Sequence, residues 1–129
     1  MPAAAVIYVL DLPRMRAFYE ACAGLSEVEA AERFCVLASG DWSLSLVSMP
    51  ATTAASTVVA DPPQRREQAA VKLVFDVESL DEHESLVAAS GGHVDSADAA
   101  WEFQGFRHLD CLDPEANVIQ LRERLAPAR

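Results

Sequence analysis

His108 and Asp110 stand two residues apart in the strand-like run Arg107–Leu112. Side chains alternate along a strand, so both point to one face, and a histidine beside a carboxylate is the pairing used for proton transfer. The same alternation puts Lys72, Val74 and Asp76 on one face of the run 71–77, and Val118, Gln120 and Arg122 on one face of the run 118–123. A buried lysine is costly without a partner, and Asp110 is a candidate for Lys72. The bland reading of each polar residue is a side chain that only satisfies its neighbours. His83 and His93 have no Cys or carboxylate at metal-ligand spacing and read as structural, as do the apolar-context Cys22 and Cys35. Cys111 alternates with Asp110 and therefore faces the opposite side, which removes it as a nucleophile.

These residues need strands to position them, and the chain supplies two series. Val6–Leu10 is a short apolar run with β-branched and aromatic residues. Asp11 is placed to cap a helix whose first turn tolerates Pro13, and Met15, Phe18, Tyr19 and Cys22 form its apolar face. Gly24 ends that helix. Strands over 26–30, 33–38 and 42–47 follow, with a Gly40-Asp41 turn between the last two. The second series opens at 71–77. Ser79 and Glu82 make a capping box for a helix stopped by Gly91 and Gly92, and strands at 93–97, 107–112 and 118–123 follow. The stretch from Met49 to Gln68 is rich in Ala, Thr, Ser and Pro and reads as the connection between the two modules. The expected division is module one over about 4–48, connection 49–69, module two over about 70–125, and a disordered tail at 126–129.

The chain has 129 residues, enough for one domain with its own core. Its formal net charge is −10, from 20 acidic and 10 basic residues. That balance argues against nucleic acid or an anionic membrane as a partner, since both require a basic surface. Three cysteines without a C-x-x-C pair argue against a disulfide framework and fit a reducing cytoplasm. No run approaches the ~20 apolar residues of a membrane span, and the start lacks a positively charged leader.

Three segments carry a family resemblance. Val6-Ile-Tyr-Val-Leu-Asp-Leu-Pro-Arg-Met-Arg-Ala-Phe-Tyr-Glu20 resembles the opening of the vicinal-oxygen-chelate superfamily, which includes glyoxalases, extradiol dioxygenases and bleomycin-resistance proteins. Asp113-Pro-Glu-Ala-Asn-Val-Ile-Gln-Leu121 resembles its closing turn and last strand, and Trp101-Glu-Phe-Gln-Gly-Phe-Arg107 the segment before it. The likeness spans residues 4 to 124. It implies an α+β fold of two βαβββ modules pairing into a curved mixed sheet with a central cavity.

The resemblance also implies a metal site on four strands, at positions falling here on Ala4, Ser45, Lys72 and Gln120. Alanine has no donor atom, a serine hydroxyl is a poor ligand, and a lysine ammonium repels a dication. One neutral oxygen on Gln120 cannot hold a transition metal. The expectation is therefore no metal and no cofactor. With Lys72 and Gln120 turned into the cavity, alternation adds His108 and Asp110, and the first module adds Tyr8 and Ser45. Trp101 and Phe103 fall where loops of the superfamily overhang the cavity, placed either to stack on an aromatic ligand or to pack as a lid on the core.

The candidate ligand-binding set is thus Tyr8, Ser45, Lys72, Trp101, His108, Asp110 and Gln120, with no catalytic residue assigned. Such a wall suits an organic small molecule. The resemblance implies a homodimeric, metal-independent binder, an antibiotic being one ligand class. The alternative is a lyase, isomerase or dioxygenase of the same superfamily, working by acid–base chemistry or through an unrecognised metal site. Whether the modules pair within a chain or between chains stays open at this level.

Overall fold

A computed structural model of the chain describes residues 3–50, 65 and 70–126. Most of the expected connection and residues 127–129 of the expected tail lie outside these.

The first module runs β1 (Ala3–Val9), α1 (Leu12–Cys22), β2 (Ser26–Ala30), β3 (Phe34–Ser39) and β4 (Trp42–Ser48). Asp11 caps α1 by accepting from the Arg14 amide at 3.1 Å, and Gly24 takes the positive φ that ends it. The sheet order is β1-β4-β3-β2, with β1 and β4 parallel. That pairing explains why β1 begins three residues before its β-branched run. Ala3, Ala4 and Ala5 carry little strand signal themselves but lie alongside Trp42, Ser43 and Leu44.

The second module runs β5 (Val74–Val77), α2 (Leu80–Ala89), β6 (His93–Val94), β7 (Trp101–Phe103), β8 (Phe106–Leu112) and β9 (Val118–Arg124). Ser79 caps α2 through the Glu82 amide. The path is β5-β9-β8-β6, with β7 pairing onto β8. Three expectations need correction. The strand expected over 71–77 begins only at Val74, so Lys72 lies before it. The strand expected over 93–97 stops at Val94, and a 3-10 turn at Ala97–Ala99 replaces its end. Trp101 and Phe103 are not in a loop but in β7, a hairpin arm on β8.

Two helices and one apolar core join the modules. Met15, Phe18 and Tyr19 of α1 pack in the same cluster as Val87 of α2 and Leu109, Cys111, Ile119 and Leu121 of the second sheet. Phe75 meets Tyr19 at 5.8 Å and Trp42 at 5.6 Å between ring centroids. Each sheet therefore turns one face to the helices and leaves the other open. No strand of the first sheet pairs with one of the second among the described residues.

Candidate functional site

The polar candidates of module two gather on the open face of the second sheet. Asp110 pairs across the ladder with Gln120, and His108 with Arg122, so alternation on β8 and β9 turns all four side chains the same way. The Lys72 ammonium reaches over from the chain just before β5. Its Nζ lies 3.0 Å from each Asp110 oxygen. Arg65 binds the same carboxylate at 3.2 Å and Asp95 at 2.6 Å, completing a chain of two cations and two anions.

His108 does not pair with Asp110, the arrangement that its spacing invited. The ring is 5 % exposed and engaged on both sides. Its Nε2–H donates to the Phe103 carbonyl at 3.2 Å, and Nδ1 accepts from the Gln120 amide at 2.9 Å. A base with both nitrogens occupied by protein has no site left for a substrate proton. Trp101 lies flat on His108, with centroids 5.4 Å apart and planes 11° apart, because β7 sets Trp101 opposite His108 in the ladder. The Lys72 Nζ sits 5.6 Å from the Trp101 centroid, a cation over an aromatic ring.

Tyr8 and Ser45 lie elsewhere. They belong to the first sheet, on its open face with Ala4 and Val6, where Val6 pairs with Ser45 and Tyr8 with Val47. Val6 and Tyr8 are 57 % and 60 % exposed, which is unusual for large apolar side chains in paired strands. Thus one chain carries the seven candidates in two groups, one at each sheet. A hollow of about 460 Å³ lies at the end of the first sheet, bounded by Ala3, Ala4, Trp42 and Ser43.

Some residues that shape the second face were absent from the candidate set. Arg122 pairs with Asp76 and stacks on Phe106 at 4.1 Å, with Arg124 on the same ring at 4.7 Å. Alternation on β9 from Gln120 to Arg122 was the signal for the first. Arg65 had none, since it lies in a stretch without hydrophobic period. His83 donates to or accepts from nothing catalytic: its Nε2 is 2.6 Å from the Cys22 carbonyl, at the end of α1. Burial pushes the Cys111 thiol far up, and those of Cys22 and Cys35 up as well, so all three stay protonated.

The four positions implied for a metal do not fit one. Ala4 offers no donor atom, Lys72 is a cation bound to Asp110, and Gln120 is tied to His108. Among the described residues, no three His, Cys, Asp or Glu side chains converge as a ligand set.

A second interior feature joins the modules at their turn ends. Asp113 is fully buried and accepts from the Tyr19 hydroxyl at 2.7 Å, the Glu115 and Asn117 amides at 2.9 and 3.0 Å, and the Asn117 side chain at 2.8 Å. Burial raises its carboxyl above the usual range, although these donors pull it back. Glu115 accepts from the Leu10 amide at 2.8 Å and the Asp11 amide at 2.9 Å, meeting the N-terminus of α1. The Asp-Pro turn is therefore a brace between modules.

No family model matches the chain, and no curated protein matches it significantly. Solved structures do. A putative glyoxalase from Bacillus halodurans matches with a TM-score of 0.72 and 17% identity over 93% of this chain and 92% of that one. A glyoxalase/bleomycin resistance protein/dioxygenase family enzyme from Burkholderia phytofirmans PsJN matches with a TM-score of 0.69 and 22% identity over 95% and 97%. The fosfomycin resistance protein FosX from Listeria monocytogenes matches at 0.64 and 16% over 93% and 89%. Two βαβββ-like modules, their sheets splayed around a shared helical core, give this chain the glyoxalase/bleomycin-resistance fold.

Proposed function

We propose that the protein binds an organic small molecule without a metal, in a pocket that two copies of the chain build together. The observation that carries this reading is the donor chemistry at the four implied metal positions. Alanine, serine, an ion-paired lysine and a glutamine engaged with histidine make no site for a divalent ion. What these side chains leave instead is a face with Trp101, Val74 and a fixed polar network, the composition of a small-molecule wall.

The second copy answers the exposure of the first sheet. Val6 and Tyr8 on one chain, and Val74, Trp101 and Phe103 on the other sheet, are large apolar side chains left open to solvent. A dimer in which the more apolar first-sheet face of one copy closes over the charged second-sheet face of the other covers both sets and joins the two groups of candidates. Sequestration of an antibiotic is one use of such a pocket. An acid–base enzyme has less support, because His108 has no free nitrogen and Asp110 is held by two cations.

The test is native mass spectrometry of the purified protein before and after addition of nickel, zinc, manganese and iron. A dimer that takes up no metal, with or without a retained organic adduct, is the expected result. One tightly held metal per pocket would overturn the reading, as would a monomer at micromolar concentration.

A further inference from the structure

We infer that Lys72 is the fixed positive charge of this pocket and that the ligand is a planar, conjugated organic acid, its carboxylate or similar oxyanion on Lys72 and its ring on Trp101. The inference rests on the small-molecule reading above and names its ligand class.

The argument starts from hydrogen-bonding capacity. Asp110 offers two oxygens, and both are engaged, each by Lys72 and one also by Arg65. An ammonium has three protons, and among the described residues Asp110 is the only acceptor on Lys72. The four charged groups Lys72, Arg65, Asp95 and Asp110 sum to zero, and the Lys72 ammonium keeps donor capacity that Asp110 alone does not use up. An incoming oxyanion finds a partner there, while both Asp110 oxygens are already held by Lys72.

Geometry adds the ring. The Lys72 side chain is 40 % exposed, so the ammonium is reachable while Asp110 holds it in place. Trp101 is 38 % exposed and braced from behind by His108, which is itself locked by Gln120 and the Phe103 carbonyl. With Nζ 5.6 Å from the Trp101 centroid, an oxygen placed on Lys72 brings an attached flat group onto the indole. The whole-protein field acts in the same direction. In a chain of net charge −10, this face sets Arg65, Lys72, Arg122 and Arg124 beside Asp76, Asp95 and Asp110, so it is less anionic than the molecule as a whole.

Calorimetric titration of the full-length protein with 2-naphthoate and with 2-naphthamide tests this, since the two share a ring and differ in charge. The acid should bind at least about tenfold more tightly than the amide, as expected of a hydrogen bond to a charged group. That ratio should fall to about one in Lys72→Met and Lys72→Gln and survive in Lys72→Arg, while Trp101→Leu should weaken both ligands alike. Equal binding of acid and amide by the wild type, which requires no variant to fold, would overturn the inference. So would a ratio that persists without the lysine, or no binding of either probe. If the protein proves dimeric and metal-free yet binds neither, the ligand class is wrong and the small-molecule reading stands. A bound metal sinks that reading first.

Discussion

Tyr19 shows how much one buried hydroxyl can carry. It joins α1 to the Asp113 turn across the two modules, and burial together with the Asp113 carboxylate raises its pKa well above the ordinary phenol. A group with a raised folded pKa contributes stability that is present at lower pH and lost as pH rises through the folded value. The wild type should therefore lose stability above pH ~10, where an unfolded tyrosine ionises. Tyr19→Phe should lack that part of the alkaline loss while costing about 1–2 kcal/mol at neutral pH, because Asp113 loses one donor. Urea melts of both proteins from pH 7 to 11 check this. His108 teaches the complementary lesson. Its strand face was legible from alternation with Asp110, but its partners were not, since Phe103 arrives on a hairpin arm and Gln120 on the next strand.

At the element scale, the β7–β8 hairpin and the end of α2 are the sensitive points. Phe103 and Phe106 close a two-residue turn in which Gln104 and Gly105 both have positive φ, as a type I′ turn requires. Glutamine is poorly suited to that conformation, so Gln104→Asn should raise stability by about 0.5 kcal/mol, read as a higher midpoint in a thermal melt. Gly92 is restricted by space. A Cβ there would stand 2.5 Å from the Leu112 carbonyl oxygen and 2.6 Å from the Phe18 ring. Gly92→Ala should cost about 1–3 kcal/mol, measured by chemical denaturation. A Gly-Gly pair reads from sequence as a helix stop. That its second glycine admits α1 and β8 so closely is a matter of tertiary approach.

For the whole molecule, the arrangement of the two modules is what matters. Glu115 ties the second module to the amides that open α1, and Glu115→Gln should cost about 1–3 kcal/mol by weakening acceptors for Leu10 and Asp11. Denaturant melts would read that cost. The open face of the first sheet gives a separate prediction about association. Tyr8→Asp places a charge where the proposed partner packs, so size-exclusion chromatography with light scattering should show a monomer with unchanged helix content. A dimer that survives Tyr8→Asp and Val6→Asp together would mean that copies meet elsewhere.

The sequence by itself determined the order of the main strands and helices without β7, both helix caps and the doubled module, because these depend on local periodicity and on turn residues close together in the chain. It also determined which side chains share a strand face, since alternation has a fixed period of two. Only the tertiary structure decided that Tyr8 and Ser45 stand on one sheet while Trp101, His108, Asp110 and Gln120 stand on another, with Lys72 reaching them from the chain before β5. The reason is that both helices bury into one core between the modules, which turns the two open faces outward. Arg65 and the Trp101 arm were beyond local reading for the same cause: their positions follow from where the chain folds back, which no short-range pattern encodes.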